Sequence, residues 1–206
     1  MSYFKKLNLP LNPLRDTASV IKTHLTGGYN IVMPQAVLTD EIINIFRNLG
    51  LRPKMVVLFG RNDSDSSTDD RLIHTDLMED ATCERGWRKL VAGVNWEIEG
   101  SINDFYWYDM SAVKECYPND PYTPPKYQHL NGIHYVERLK MGIPEQAVLL
   151  DHTVIDSPTL VRTDIPHATL YKNKNTTRVG ISVRFYEEDF DHSWDGAVEK
   201  FNSVIK

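Results

Sequence analysis

The chain has 206 residues, 41% of them hydrophobic and 25% charged. A chain of this length can bury about 70% of its unfolded surface, and the balance excludes collagen-like, low-complexity and wholly disordered sequences. Its net charge is −5, with 23 Lys+Arg against 28 Asp+Glu, which gives no general pull toward nucleic acid or an anionic membrane and argues against both as partners.

The front of the chain reads as mixed, helical in part. Residues 16–25 predict a short helix capped by Asp16 or Thr17. Residues 39–49 predict a second helix, with Thr39 or Asp40 as cap, Ile42, Ile43, Ile45, Phe46 and Leu49 as its apolar face and Gly50 as its stop. From about residue 54 the pattern changes to strands: 55–60, 72–77, 89–99, 104–109, 146–151, 159–163, 167–172 and 177–187, separated by turn residues. Such a series predicts an all-β sandwich, jelly roll or barrel. Residues 193–205 close the chain as a helix capped by Ser193. Nothing divides the chain, so one domain is expected, with a β core over about 54–187, a helical part over 1–53 and the closing helix outside it.

Two segments read as loops. Residues 62–71 (NDSDSSTDDR) form an acidic, Ser-rich run that reads as a solvated loop. Residues 114–128 hold Pro118, Pro121, Pro124 and Pro125 among Tyr117, Tyr122 and Tyr127. That composition suits either a lid or a stiffened connection. No apolar run approaches the ~20 residues of a membrane span, and no secretory leader is visible. Cys83 and Cys116 make neither a zinc motif nor a disulfide framework. They read as reduced thiols, which places the chain in the cytoplasm.

The residues able to do chemistry begin with His74-Thr75-Asp76. Positions i and i+2 of a strand share a face, so an imidazole and a carboxylate there can hold one metal together. About one such pair is expected by chance in this composition, so the pair alone decides little. His167 lies on a later predicted strand. Joined to the first two, it completes a 2-His-1-carboxylate set of the kind that suits non-haem iron(II). In residues 177–185 (TRVGISVRF), Arg178, Gly180, Ser182 and Arg184 share one face and Val179, Ile181, Val183 and Phe185 the other. Two arginines on an inward face are costly unless an anion meets them, and an Arg fork matches a carboxylate. Asn95, Trp96, Tyr106 and Tyr108 could line a pocket or pack the core. His129, His134 and His152 offer a rival metal set but form no His-x-Asp/Glu pair.

The ordered set His74-x-Asp76, His167 and Arg178 resembles the iron(II)- and 2-oxoglutarate-dependent oxygenases, over about residues 55–187. The resemblance implies a double-stranded β-helix of eight core strands, with His-x-Asp by the second, the distal His by the seventh and the Arg on the eighth. It also implies that His74, Asp76 and His167 hold iron(II), that Arg178 or Arg184 anchors the 2-oxoglutarate cosubstrate, and that the chain is a dioxygenase. Such an enzyme couples decarboxylation of that cosubstrate to oxidation, here hydroxylation, of a small molecule or a protein side chain. Ser182 stands four positions after Arg178, where many members place the Ser two after the Arg. The Arg178-to-Arg184 spacing resembles the nucleic-acid-repair branch, although His167 is close to Arg178 for that branch and the acidic charge does not support it. Two other classes fit the strands: a cupin-like metal- or small-molecule-binding jelly roll without oxygenase activity, and a structural β-sandwich without metal affinity.

Overall fold

The computed structural model describes residues 2–24, 29–61, 72–79, 87–100, 103–111, 126–129, 132–141, 146–171 and 178–206. The acidic run 62–71, Cys83, Cys116 and residues 114–125 of the Pro- and Tyr-rich segment lie outside them. In chain order the strands are β1 (Phe4–Lys6), β2 (Tyr29–Val32), β3 (Pro53–Arg61), β4 (Leu72–Glu79), β5 (Trp87–Lys89), β6 (Ala92–Glu99), β7 (Asn103–Asp109), β8 (Lys126–His129), β9 (Gly132–Met141), β10 (Val148–Val154), β11 (Thr159–Arg162), β12 (His167–Tyr171) and β13 (Arg178–Phe185). The helices are α1 (Thr17–His24), α2 (Pro34–Val37), α3 (Asp40–Asn48) and α4 (Trp194–Phe201). The architecture is mainly antiparallel β with a few helices, as the strand series led us to expect. None of these helices is long and apolar enough to cross a membrane.

Two sheets hold the strands. The first runs β1-β11-β6-β13-β3-β2, the second β10-β7-β12-β4-β9-β8 with β5 on β4. Alternation along β13 and its neighbours explains how the first sheet is used. Ile181, Val183 and Phe185 join Val56, Leu58, Val94, Trp96 and Leu160 in one buried cluster with Ile42 and Phe46 of α3 and Trp194, Ala197 and Phe201 of α4. Phe46 meets Phe185 edge-on at 4.9 Å between ring centroids, a favoured aromatic geometry. The opposite face of the same strands turns toward the second sheet, where Val161 packs with Phe105 and Trp107 of β7.

The helices start and stop where side-chain chemistry dictates. The Thr39 hydroxyl accepts from Ile42 N at 3.3 Å, and Asp40 and Glu41 put negative charge in the first turn of α3. Gly50, at φ +72°, ends it: its N–H donates to Arg47 O, and Leu51 N donates to Phe46 O. That left-handed turn favours glycine. Asp16 accepts from Ser19 N ahead of α1, and Ser193 accepts from Gly196 N ahead of α4.

Several boundaries differ from expectation. The strand over 89–99 is broken at Leu90 and Val91, because Leu90 N donates to Asp76 O and Val91 N donates to the Glu187 carboxylate. The last strand stops at Phe185, and Glu187–Phe190 turns into a 3₁₀ helix. The closing helix ends at Phe201 and continues as a 3₁₀ turn over Asn202–Val204. Strands β1, β2, β8 and β9 and helix α2 were not expected.

Candidate metal centre

The three proposed ligands stand on two neighbouring strands. His167 at the start of β12 pairs directly with His74 of β4, and Asp76 follows two positions later on the His74 face. Beyond His74, strand β4 leaves β12: Asp76 N donates to Thr163 O at 3.1 Å and Asp76 O accepts from Leu90 N at 2.9 Å. Asp76 is thereby fixed at the seam between the two sheets. One ligand atom from each of His74, Asp76 and His167 lies within 4.8 Å of the others. His74 Nε2 is 3.5 Å and His167 Nε2 3.9 Å from Asp76 Oδ1. The imidazole centroids are 4.4 Å apart.

The protonation pattern favours ligation. His167 Nδ1 lies 2.9 Å from Ile165 O, so Nδ1 carries the proton and donates, leaving the Nε2 lone pair toward Asp76. A backbone carbonyl orienting a ligand imidazole in this way is the usual outer support of a metal-binding histidine. Burial, and then the neighbouring His74, push the His167 pKa down to about 3, so the ring is neutral and able to ligate across the physiological range. Phe105 stacks on His167 at 4.9 Å between centroids. His167 and Asp76 are buried. His74 is 24% exposed, so the open side of the cluster lies at His74.

Ligand atoms about 2.0–2.2 Å from one ion stand about 3 Å apart when they occupy adjacent octahedral positions. The two separations from Asp76 exceed that by less than an ångström, a closure within reach of side-chain rotation.

Asp76 has a second partner. Its Oδ2 contacts the Arg184 guanidinium, whose Nη1 donates to Thr163 Oγ1 at 3.1 Å. Thr163 Oγ1 in turn donates to Leu90 O. The Arg184 side chain crosses directly over Gly93: a Cβ there would stand 2.5 Å from Arg184 Nη1, so any larger residue would have to displace the guanidinium from its position over Gly93. Glu187 stands on the far side, its Oε2 accepting from Val91 N. Burial pushes its carboxyl up to about 7.

Arg178 stands apart from this group. Its Nε donates to both carboxylate oxygens of Glu97, at 3.1 and 3.2 Å, and both side chains are about nine-tenths buried. Burial raises the Glu97 carboxyl to about 7 against the opposing pull of Arg178. Between the two arginines the inward wall carries Ser182 opposite Asn95. Ser182 Oγ, Asn95 Oδ1 and Arg184 Nε are buried polar atoms without a hydrogen-bond partner among the described residues.

The four candidate lining residues divide by face. Asn95 lies on the inward face with Gly93 and Glu97. Trp96 is on the helix side, beside Phe46, with Nε1 donating to Pro10 O. Tyr106 and Tyr108 lie on the face of β7 opposite Phe105 and Trp107, near Ile73 and Ala168. His152 lies with them, its Nε2 3.3 Å from Asp104, and is therefore separate from the cluster. The side chains of His129 and His134 are outside the described residues. Gly93, Glu97, Phe105 and Thr163 were not recognised as site residues. The alternation of β6, with Gly93, Asn95 and Glu97 on one face and Val94, Trp96 and Ile98 on the other, is the signal that could have found two of them.

No protein-family model matches the chain, and no curated protein matches it.

Proposed function

We propose that this chain is a non-haem iron(II), 2-oxoglutarate-dependent oxygenase that hydroxylates a small molecule or a protein side chain. The observation that carries the proposal is the convergence of two imidazoles and one carboxylate, with the His167 Nε2 lone pair turned toward Asp76. This donor set suits iron(II) and leaves one side open.

The strand order supports the same reading. Counting β3, β4, β6, β7, β10, β11, β12 and β13 as one to eight, the sheets run six-three-eight-one and five-four-seven-two. That order supports a double-stranded β-helix, in which His74 and Asp76 would lie on the second strand, His167 on the seventh and Arg178 on the eighth.

His74, Asp76 and His167 would hold the iron, which when bound supplies oxygen activation. Arg184 would fix the Asp76 carboxylate so that Oδ1, and not Oδ2, turns to the imidazoles. The unpartnered Ser182, Asn95 and Arg184 atoms line a polar wall fit for a polar cosubstrate, and Arg178 at its far end would take that cosubstrate's distal carboxylate. Phe105 would keep water from the His167 side.

One observation favours a cupin-like metal-binding protein instead: the Arg178 fork already holds Glu97. A direct experiment separates the two. Purified protein is given iron(II) and 2-oxoglutarate without oxygen, and its visible spectrum is recorded. The oxygenase reading expects a weak charge-transfer band that His167→Ala abolishes, and succinate on admitting air. Iron binding with neither band nor succinate would support the cupin-like reading.

A further inference from the structure

The Arg178–Glu97 pair closes the far end of the polar wall. Gly180 of β13 is the residue paired with Glu97 of β6, and a Cβ on Gly180 would stand 3.1 Å from Arg178 Nη2. The guanidinium is therefore folded over Gly180, toward Ser182 and Arg184, and Glu97 grips it from the neighbouring strand. An anion reaching Arg178 from the metal side meets a fork whose Nε is engaged by a buried carboxylate. Two carboxylates on one guanidinium in a buried site repel, and one of them must lose its charge or leave.

We propose that Glu97 is a proton-taking competitor for Arg178: a dicarboxylate such as 2-oxoglutarate displaces it from the guanidinium, and Glu97 takes one proton from solvent as it yields. This rests on the oxygenase reading and adds to it a pH-dependent affinity for the cosubstrate. The charge balance is simple. The Glu97 carboxylate gains H⁺ and becomes a neutral acid, and the incoming carboxylate takes over the ion pair. The neutral acid then donates a hydrogen bond instead of competing for one.

The surroundings of Glu97 suit this role. Its carboxyl is already raised to about 7 by burial while Arg178 still holds it, so removing that favourable charge raises it further. Arg178 of β13 acts on it in the opposite sense, through its charge and its hydrogen bond. On its own strand Glu99 is exposed. On the β11 side the strand residue nearest in register is Thr159, opposite Asn95, and the turn before β11 carries Asp156, which is paired with Lys6 at 2.7 Å. The facing sheet turns Phe105, Trp107 and the three proposed ligands inward.

Calorimetric titration of 2-oxoglutarate into the anaerobic, iron(II)-loaded protein tests this. Loading the metal first removes ligand protons from the count. At about pH 8.5, in two buffers of different ionisation heat, the expected uptake approaches one proton per cosubstrate bound. Affinity should weaken about tenfold per pH unit above neutrality. Glu97→Gln should bind with no uptake and a flat pH profile. Binding without proton uptake, or the same pH profile in wild type and Glu97→Gln, overturns this inference and leaves the oxygenase reading standing. No binding of 2-oxoglutarate at any pH overturns both. The proton count on the unmodified chain stands even if the variant fails to fold.

Discussion

Strand β13 carries two arginine–carboxylate pairs, one at each end, and they do different work. Arg184 holds Asp76, a proposed metal ligand, and is itself tied to Thr163 and confined by Gly93. Arg178 holds Glu97, which is not one of the proposed ligands. Both pairs are buried, and a buried pair is weak evidence for stability in itself because desolvation offsets much of the attraction. What separates them is what each carboxylate can do when its arginine is lost. Asp76 is locked between two backbone contacts and beside two imidazoles. Glu97 can take a proton.

The largest effect should follow from removing the arginine at the metal end. Arg184→Ala leaves a buried carboxylate without its cation, a loss of about 3–5 kcal/mol, seen as a Tm lower by about 10 °C. Iron(II) should restore part of it by replacing the lost positive charge. A Tm unchanged by the substitution, or a loss indifferent to iron, would erase the contrast between the two ends.

Arg178→Ala should cost less, about 1–2 kcal/mol, and its cost should depend on pH. Glu97 titrates near 4.5 unfolded and about 7 folded, so its contribution is full below the lower value and is lost as pH rises through the upper one. Without Arg178 the folded value is higher and that loss extends further. Wild type and variant should therefore diverge above about pH 7, read as Tm against pH, and iron should rescue nothing. Equal divergence at acid pH would show that Glu97 does not titrate as described.

The smallest effect belongs to Glu187, which flanks Arg184. Its carboxyl is raised to about 7 by burial, with the same sign of pH dependence. Glu187→Gln keeps an acceptor for Val91 N and removes the buried charge. Tm should rise by about 3 °C at about pH 8 and not at about pH 5. A fall at both would mean that the charge supports Arg184.

The metal end was largely legible in the sequence, and the reasons are local. His74 and Asp76 two apart on a strand must share a face, and the polar–apolar alternation of Arg178–Phe185 assigned both arginines to one side. What was hidden depends on contacts across the fold. No local pattern joins Arg184 to Asp76, and Gly93 shows its purpose only once a side chain lies over it. Alternation told us that Tyr106 and Tyr108 point together, away from Phe105 and Trp107. Which pair faces inward depends on how the sheets pack, so the two tyrosines were candidates for a place beside the cluster that Phe105 takes instead. Glu97 is one more charged strand residue in the sequence, and only its place opposite Gly180, under the Arg178 guanidinium, gives it a partner.

The central claim is that His74, Asp76 and His167 bind one metal. Anaerobic equilibrium binding of iron(II), with metal counted per chain, tests it directly. The account predicts one tightly held iron in wild type and in His152→Ala, and none in His167→Ala or Asp76→Ala with the fold retained by circular dichroism. Wild-type protein that holds no iron, or variants that hold it as well as wild type, would contradict it.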